Sequence, residues 1–258
     1  MNFFNATDWF GREGNFLFSP EHIIFIVLAT ALGILLPLML RKKSTKTIKG
    51  VLIGLWVFAL VFDLLKWGNI WICDITGADT FKLASHLPLH FCSMFLYVAP
   101  IALFAKNQKL KTAATNFVCT VSMLMGYMSL FLSTAMMSSY SLFSFNGMHT
   151  MVYHAILFIF PMTMLLTRFY KPKWKDMLGG IVVVLIICAI MITFDNIFAV
   201  DYMYLYDEST LGVFHFISQN VPRVVWIVIA VLGYVASVAL IHSIVMGILA
   251  LCKKKSEK

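Results

Sequence analysis

Apolar runs of about 18 or more residues recur along the chain, and this constrains the fold more than any other feature. A run of that length is what an α-helix needs to cross a hydrocarbon core ~30 Å thick. Seven such segments are legible, over residues 22–40, 50–72, 86–105, 112–133, 150–168, 177–198 and 222–251. Only 12% of the 258 residues are charged and 60% are hydrophobic, whereas a soluble domain carries about 25% charged residues. Long continuous runs fit helices, and the weak alternation of a membrane β-barrel is missing. The sequence therefore predicts an all-α membrane protein, a single bundle of seven transmembrane helices forming one polytopic domain over 1–258. No internal repeat interrupts it. The first residues, "MNFFNATDWFGREGNF", lack the basic stretch that precedes the apolar core of a cleavable signal peptide.

Charge sets an expected orientation. The connections "RKKSTKTIK" (41–49), "AKNQKLK" (105–111) and "RFYKPKWK" (168–175), with the tail "KKKSEK", hold sixteen of the twenty Lys and Arg residues, and they are every second connection. Asp8, Glu13, Asp74, Asp79, Asp201, Asp207 and Glu208 fall on the other side. Basic loops face the cytoplasm in membrane proteins, so the N-terminus is expected outside and the C-terminus inside, which requires an odd number of crossings. The same account explains the net charge of +8 without nucleic acid as a partner.

Ionisable groups in a span are costly and usually face a bundle interior or a cavity. His86, His90 and Cys92 occupy the start of the third segment. His149 and His154 begin the fifth. Asp195, Asn196, Asp201 and Tyr202 close the sixth, and Asp63 and Lys66 lie in the outer part of the second as an i,i+3 pair able to neutralise each other. Far apart in sequence, they converge at one depth near the outer leaflet, which suggests a polar cavity opening outward or sideways. Pro88 suits the first turn of a helix. His86 and His90 then share a face, while Cys92 points about 200° away from His90 on a 3.6-residue helix. A base for Cys92 has to come from another helix, and His154 is the best placed.

Each of these residues has a plainer reading. A buried cysteine packs as a small hydrophobe, as Cys119 and Cys188 illustrate; the five cysteines, 73, 92, 119, 188 and 252, form no disulfide framework. His22, His86 and His149 would be comfortable at headgroup depth. His215 falls in an outer loop, and His242 reads as a hydrogen-bonded core histidine. His86 and His90 could share one metal face, yet no carboxylate lies in the same turn, so no metal or other cofactor is expected.

"HLPLHFC" (86–92) resembles the H-x-L-P-L-x-x-C signature of the YwaF-like bacterial integral membrane proteins. "VYHAILF" (152–158) is similar to that family's fifth-helix histidine motif, with His154 at the histidine. "FDNIFAVDYMYL" (194–205) resembles its N-x-x-x-G-x-N-Y-M-x-L stretch through Asn196, Tyr202, Met203 and Leu205. Ala199 and Asp201 stand where the family usually has glycine and asparagine, and "QNVPRVVW" (219–226) replaces its tryptophan-rich approach to the last helix. The YwaF-like proteins are in turn similar to a eukaryotic cysteine-dependent transmembrane phospholipid acyltransferase. The resemblance implies a bacterial plasma-membrane protein acting on membrane lipids, an acyltransferase or lipid hydrolase with Cys92 as nucleophile and His154 as base.

Such chemistry needs a thiolate, which an adjacent histidine supplies before returning the proton to the leaving group. Asp201, Asn196 and His149 are candidates to orient that histidine, and His86 and Lys66 are candidates to stabilise an oxyanion. The competing class is a transporter or ligand-binding protein using the outer cavity as a vestibule. A transporter should continue its polar residues through the midplane, and the inner halves of the second, third, fifth and sixth segments are almost wholly apolar. A retinal protein needs a lysine in the last helix, and none lies in 224–252.

Overall fold

A computed structural model describes residues 17–75, 87–132, 142–205 and 212–256, all helix, turn or irregular chain. The helices are α1 (Pro20–Leu40), α2 (Thr45–Ile75), α3 (Met94–Phe104), α4 (Gln108–Phe117), α5 (Met123–Leu132), α6 (Phe145–Leu166), α7 (Asp176–Phe198), α8 (Gly212–Asn220) and α9 (Arg223–Ser256). A π-helical turn, Val118–Ser122, follows α4 and leads directly into α5. The starts follow local chemistry. Ser19 accepts from the His22 N–H before Pro20 opens α1. Asn107 accepts from the Lys109 and Leu110 N–H groups at α4. Ser144 accepts from Gly147 at α6. Each satisfies amide groups that a helix N-terminus leaves without partners.

Each of the seven apolar segments contains helix, and among the described residues six helical stretches are long and apolar enough to cross a membrane. The chain is a multi-pass membrane protein. The third segment differs from its expected extent of 86–105. Its helix covers only Met94–Phe104, about 16 Å at 1.5 Å per residue. Residues 87–93 form bends and turns instead, and the Leu89 N–H bonds to the Leu87 carbonyl at 2.8 Å. Pro88 has no N–H to give and disfavours helical geometry at Leu87, so the helix nucleates only past Cys92.

The chain divides into two compact units, one formed by Met1–Phe81 and Ser122–Lys171, the other by Lys82–Val121 and Pro172–Lys258. In the first, α6 packs against α1, α2 and α5. Its core includes Ile26 and Ala29 of α1, Leu130 of α5 and Met151, Ala155 and Ile159 of α6. Gly126 lets α5 approach α6, since a Cβ there would collide with the Leu157 Cβ. His22, expected at the interface, is buried: its Nδ1 accepts from the Phe18 N–H at 3.0 Å, so Nε2 carries the proton given to the Leu130 carbonyl at 2.6 Å. In the second unit α4 packs on α7, α3 folds back on α4, and α7 packs on α9. Asn116 of α4 meets His242 Nδ1 of α9 at 2.8 Å, and Trp174 packs edge-on to the same imidazole. His242 is thus the hydrogen-bonded core histidine its depth suggested.

Candidate functional site

The polar residues singled out in the sequence fall into two groups, one in each unit. His86 lies outside the described residues, and so does the side chain of His215.

In the first unit, Asp63 of α2 and His149 of α6 are both buried. Asp63 Oδ1 lies 3.5 Å from His149 Nε2, an ion-pairing separation longer than an ordinary hydrogen bond. The carboxylate thus pairs across helices, not with Lys66 one turn along α2 as its spacing suggested. The His149 ring is stacked parallel to Tyr153 and flanked by Phe62. Tyr153 stands perpendicular to His154, and Lys66 is within electrostatic range of both histidines. His154 Nδ1 meets the Thr150 carbonyl at 2.7 Å. A carbonyl only accepts, so Nδ1 holds the proton, and Nε2 of the neutral ring presents a lone pair. That is the tautomer a general base needs.

In the second unit, Cys92 is half-buried and His90 exposed, both on the turn ahead of α3. Because 87–93 is not helical, the helical angle between them does not apply. Facing them is the loop after α7. Ala199 ends α7 in the left-handed conformation, φ 51°, where an L-residue is strained and glycine is favoured. The buried Asp195 carboxylate then accepts from the Tyr202 N–H at 3.1 Å. Met203 and Tyr204 follow, both left-handed, φ 59° and 56°. Their carbonyls accept from α9, Met203 from the Tyr234 hydroxyl at 2.7 Å and Tyr204 from Trp226 Nε1 at 2.8 Å. The cysteine segment docks on this loop. His90 packs edge-on against Tyr202, with centroids 5.0 Å apart, and lies near Tyr204 at 6.4 Å. Phe91 packs on Tyr234 at 4.1 Å.

Burial pushes the Tyr202 hydroxyl up to about 12, against a backbone hydrogen bond from Leu87 that lowers it. Burial, with Cys92 and Asp201 nearby, likewise raises Tyr204. Both phenols therefore stay protonated at neutral pH. Asn196 is exposed and accepts from Arg223 Nη2 at 2.8 Å, tying α7 to the start of α9 and not to the cysteine.

The structure thus brings Asp63, Lys66, His149 and His154 together in one unit and His90, Cys92, Asp201 and Tyr202 in the other. Besides Tyr204, three contributors escaped the sequence reading. Thr150 acts through its backbone carbonyl, and Trp226 and Tyr234 bond backbone oxygens, so no motif betrays them. Among the described residues no group of three or more His, Cys, Asp or Glu side chains is disposed to hold a metal ion.

No curated protein and no solved structure matches the chain. A protein-family model does: that of the TMEM164 family, over residues 17–251.

Proposed function

The chain belongs to the TMEM164 family, and we propose that it is a membrane-embedded lipid acyltransferase with Cys92 as nucleophile and His154 as base. The observation that carries this reading is the His154 tautomer, fixed by the Thr150 carbonyl so that Nε2 is the proton acceptor. The likeness of "HLPLHFC" and "VYHAILF" to the cysteine and histidine motifs of the YwaF-like proteins supports the same pairing, in a bacterial plasma membrane.

In this mechanism Nε2 takes the Cys92 proton and the thiolate attacks the acyl carbonyl carbon, forming the C–S bond. Collapse of the tetrahedral intermediate breaks the ester C–O bond, and the departing alkoxide takes the proton from His154. A second hydroxyl, deprotonated by the same Nε2, attacks the thioester and releases Cys92 as thiolate, which is reprotonated. Exclusion of water by the bilayer favours transfer over hydrolysis. The Asp63–His149 pair and Lys66 set the charge around His154.

The test is quantitative lipidomics on membranes from cells expressing wild type, Cys92→Ala and His154→Ala at equal protein levels. One lipid class should shift in wild type and return to the empty-vector profile in both variants. Identical profiles in all membranes would sink the acyl-transfer reading and turn attention to transport or ligand binding.

A further inference from the structure

The loop 199–205 is more strained than a helix connection requires. Two successive non-glycine residues, Met203 and Tyr204, hold left-handed backbone angles, a strain that the surroundings must offset. The restraints lie around them. The Asp195 carboxylate fixes the loop ahead of them, and side chains of α9 hold both strained carbonyls. Met203 and Leu205, on either side of Tyr204, are fully buried, whereas Tyr204 is half-buried. Its ring is turned toward the cysteine-bearing turn, near His90 and within electrostatic range of the Cys92 thiol. The neighbouring Tyr202 has its hydroxyl engaged by the Leu87 backbone. No hydrogen bond joins the Tyr204 hydroxyl to another described residue. Strain concentrated at one point, together with an uncommitted donor within electrostatic range of a thiol, is a pattern of functional sites.

We infer that Tyr204 is a catalytic residue, the hydrogen-bond donor that stabilises the oxyanion formed when the Cys92 thiolate adds to an acyl carbonyl. The inference rests on the acyl-transfer reading and adds a group to it. When the C–S bond forms, the carbonyl π electrons move onto oxygen, and the Tyr204 O–H donates to that oxygen without giving up its proton. When the C=O re-forms, the hydrogen bond weakens. Burial keeps the phenol protonated, so the donor is present throughout the neutral range. The left-handed backbone aims the ring, and the α9 donors prevent it from relaxing away.

The test separates two reactions of the same thiol in full-length protein reconstituted in phosphatidylcholine nanodiscs. Acylation by p-nitrophenyl palmitate passes through an oxyanion; alkylation by N-hexadecyl iodoacetamide does not. Tyr204→Phe keeps the ring and should slow Cys92-dependent nitrophenol release about a hundredfold, in the range for loss of one oxyanion donor, while the Cys92 alkylation rate stays at the wild-type value. Equal loss of both rates would mean that Tyr204 only shapes the loop, and overturns the inference. Cys92-dependent release unchanged by Tyr204→Phe overturns it as well and leaves the acyl-transfer reading standing. Release by wild type that does not depend on Cys92 overturns both.

Discussion

At the residue scale, the local chemistry at Ala199, at the Asp63–His149 pair and at His154 makes definite demands. Ala199 holds a left-handed cap, φ 51°, at about 1–2 kcal/mol for an L-residue. Glycine adopts that conformation freely but loses more entropy on folding. Ala199→Gly should therefore raise stability by a net ~0.5–1 kcal/mol, read as a higher unfolding midpoint in detergent; a lower midpoint would contradict the cap. Asp63 and His149 form a buried pair with unequal partners. Removing His149 leaves a carboxylate that must ionise or protonate in an apolar site, whereas removing Asp63 leaves an imidazole able to stay neutral. His149→Leu should cost roughly 3 kcal/mol, in the range for orphaning a buried charge, and Asp63→Asn clearly less. Equal losses would show that the pair is not ionic. For His154 the decisive neighbour is a backbone carbonyl, so Thr150→Val should preserve its tautomer and whatever activity depends on it. A large loss of activity in that variant would place the threonine hydroxyl, not the backbone, in the mechanism.

At the element scale, the contacts between helices separate glycines of unlike consequence. Gly126 of α5 faces the Leu157 Cβ on α6, an atom too close to the backbone to swing aside, whereas Gly50 of α2 has nothing within 4 Å. Gly126→Ala should cost about 1–3 kcal/mol by overpacking. Gly50→Ala should be neutral or gain up to ~1 kcal/mol of helix propensity. Thermal unfolding of the two variants side by side checks the pairing of α5 with α6. The stretch from α4 to α5 carries another element-level feature: its π turn, Val118–Ser122, spans the point where the chain passes from one compact unit to the other. Thr120 and Asn116 lie at this turn, with the Thr120 hydroxyl bonded back to the Asn116 carbonyl at 2.7 Å. Nothing in "NFVCTVS" distinguishes that stretch from ordinary helix, since a π turn differs only in which carbonyl each N–H selects.

At the scale of the whole molecule, the short α3 makes sidedness a sharp question. If residues 87–104 complete a crossing, the basic connections 41–44, 105–107 and 167–175 and the C-terminal tail all share one face. If they do not, 41–44 is separated from the other three. The positive-inside rule favours the first arrangement, because the second would export a loop rich in Lys and Arg. Reporter fusions or impermeant labels placed at 42, 106 and 172 should therefore report one common, cytoplasmic face. A label at 42 opposite to the other two would establish six crossings.

Composition and hydropathy, read along the chain, determined that this is a helical multi-pass membrane protein and roughly where its apolar helices lie, the start of the third excepted, because hydrocarbon leaves a backbone almost no alternative to satisfying itself within a helix. Residue order alone also marked Cys92, His90, His149, His154 and Asp63 as out of place in an apolar environment. Tertiary structure decided which of them meet. It sent Asp63 to His149 and not to Lys66, fixed the His154 proton through a carbonyl four residues back, and left 87–93 in turns, so that the helical angle between His90 and Cys92 lost its basis. It also enlisted Trp226 and Tyr234 to hold a strained loop under Tyr204. Those outcomes depend on side chains and backbone oxygens brought together from distant parts of the chain, and a one-dimensional pattern of polarity carries the cost of burying a polar group but not the identity of the partner that offsets it.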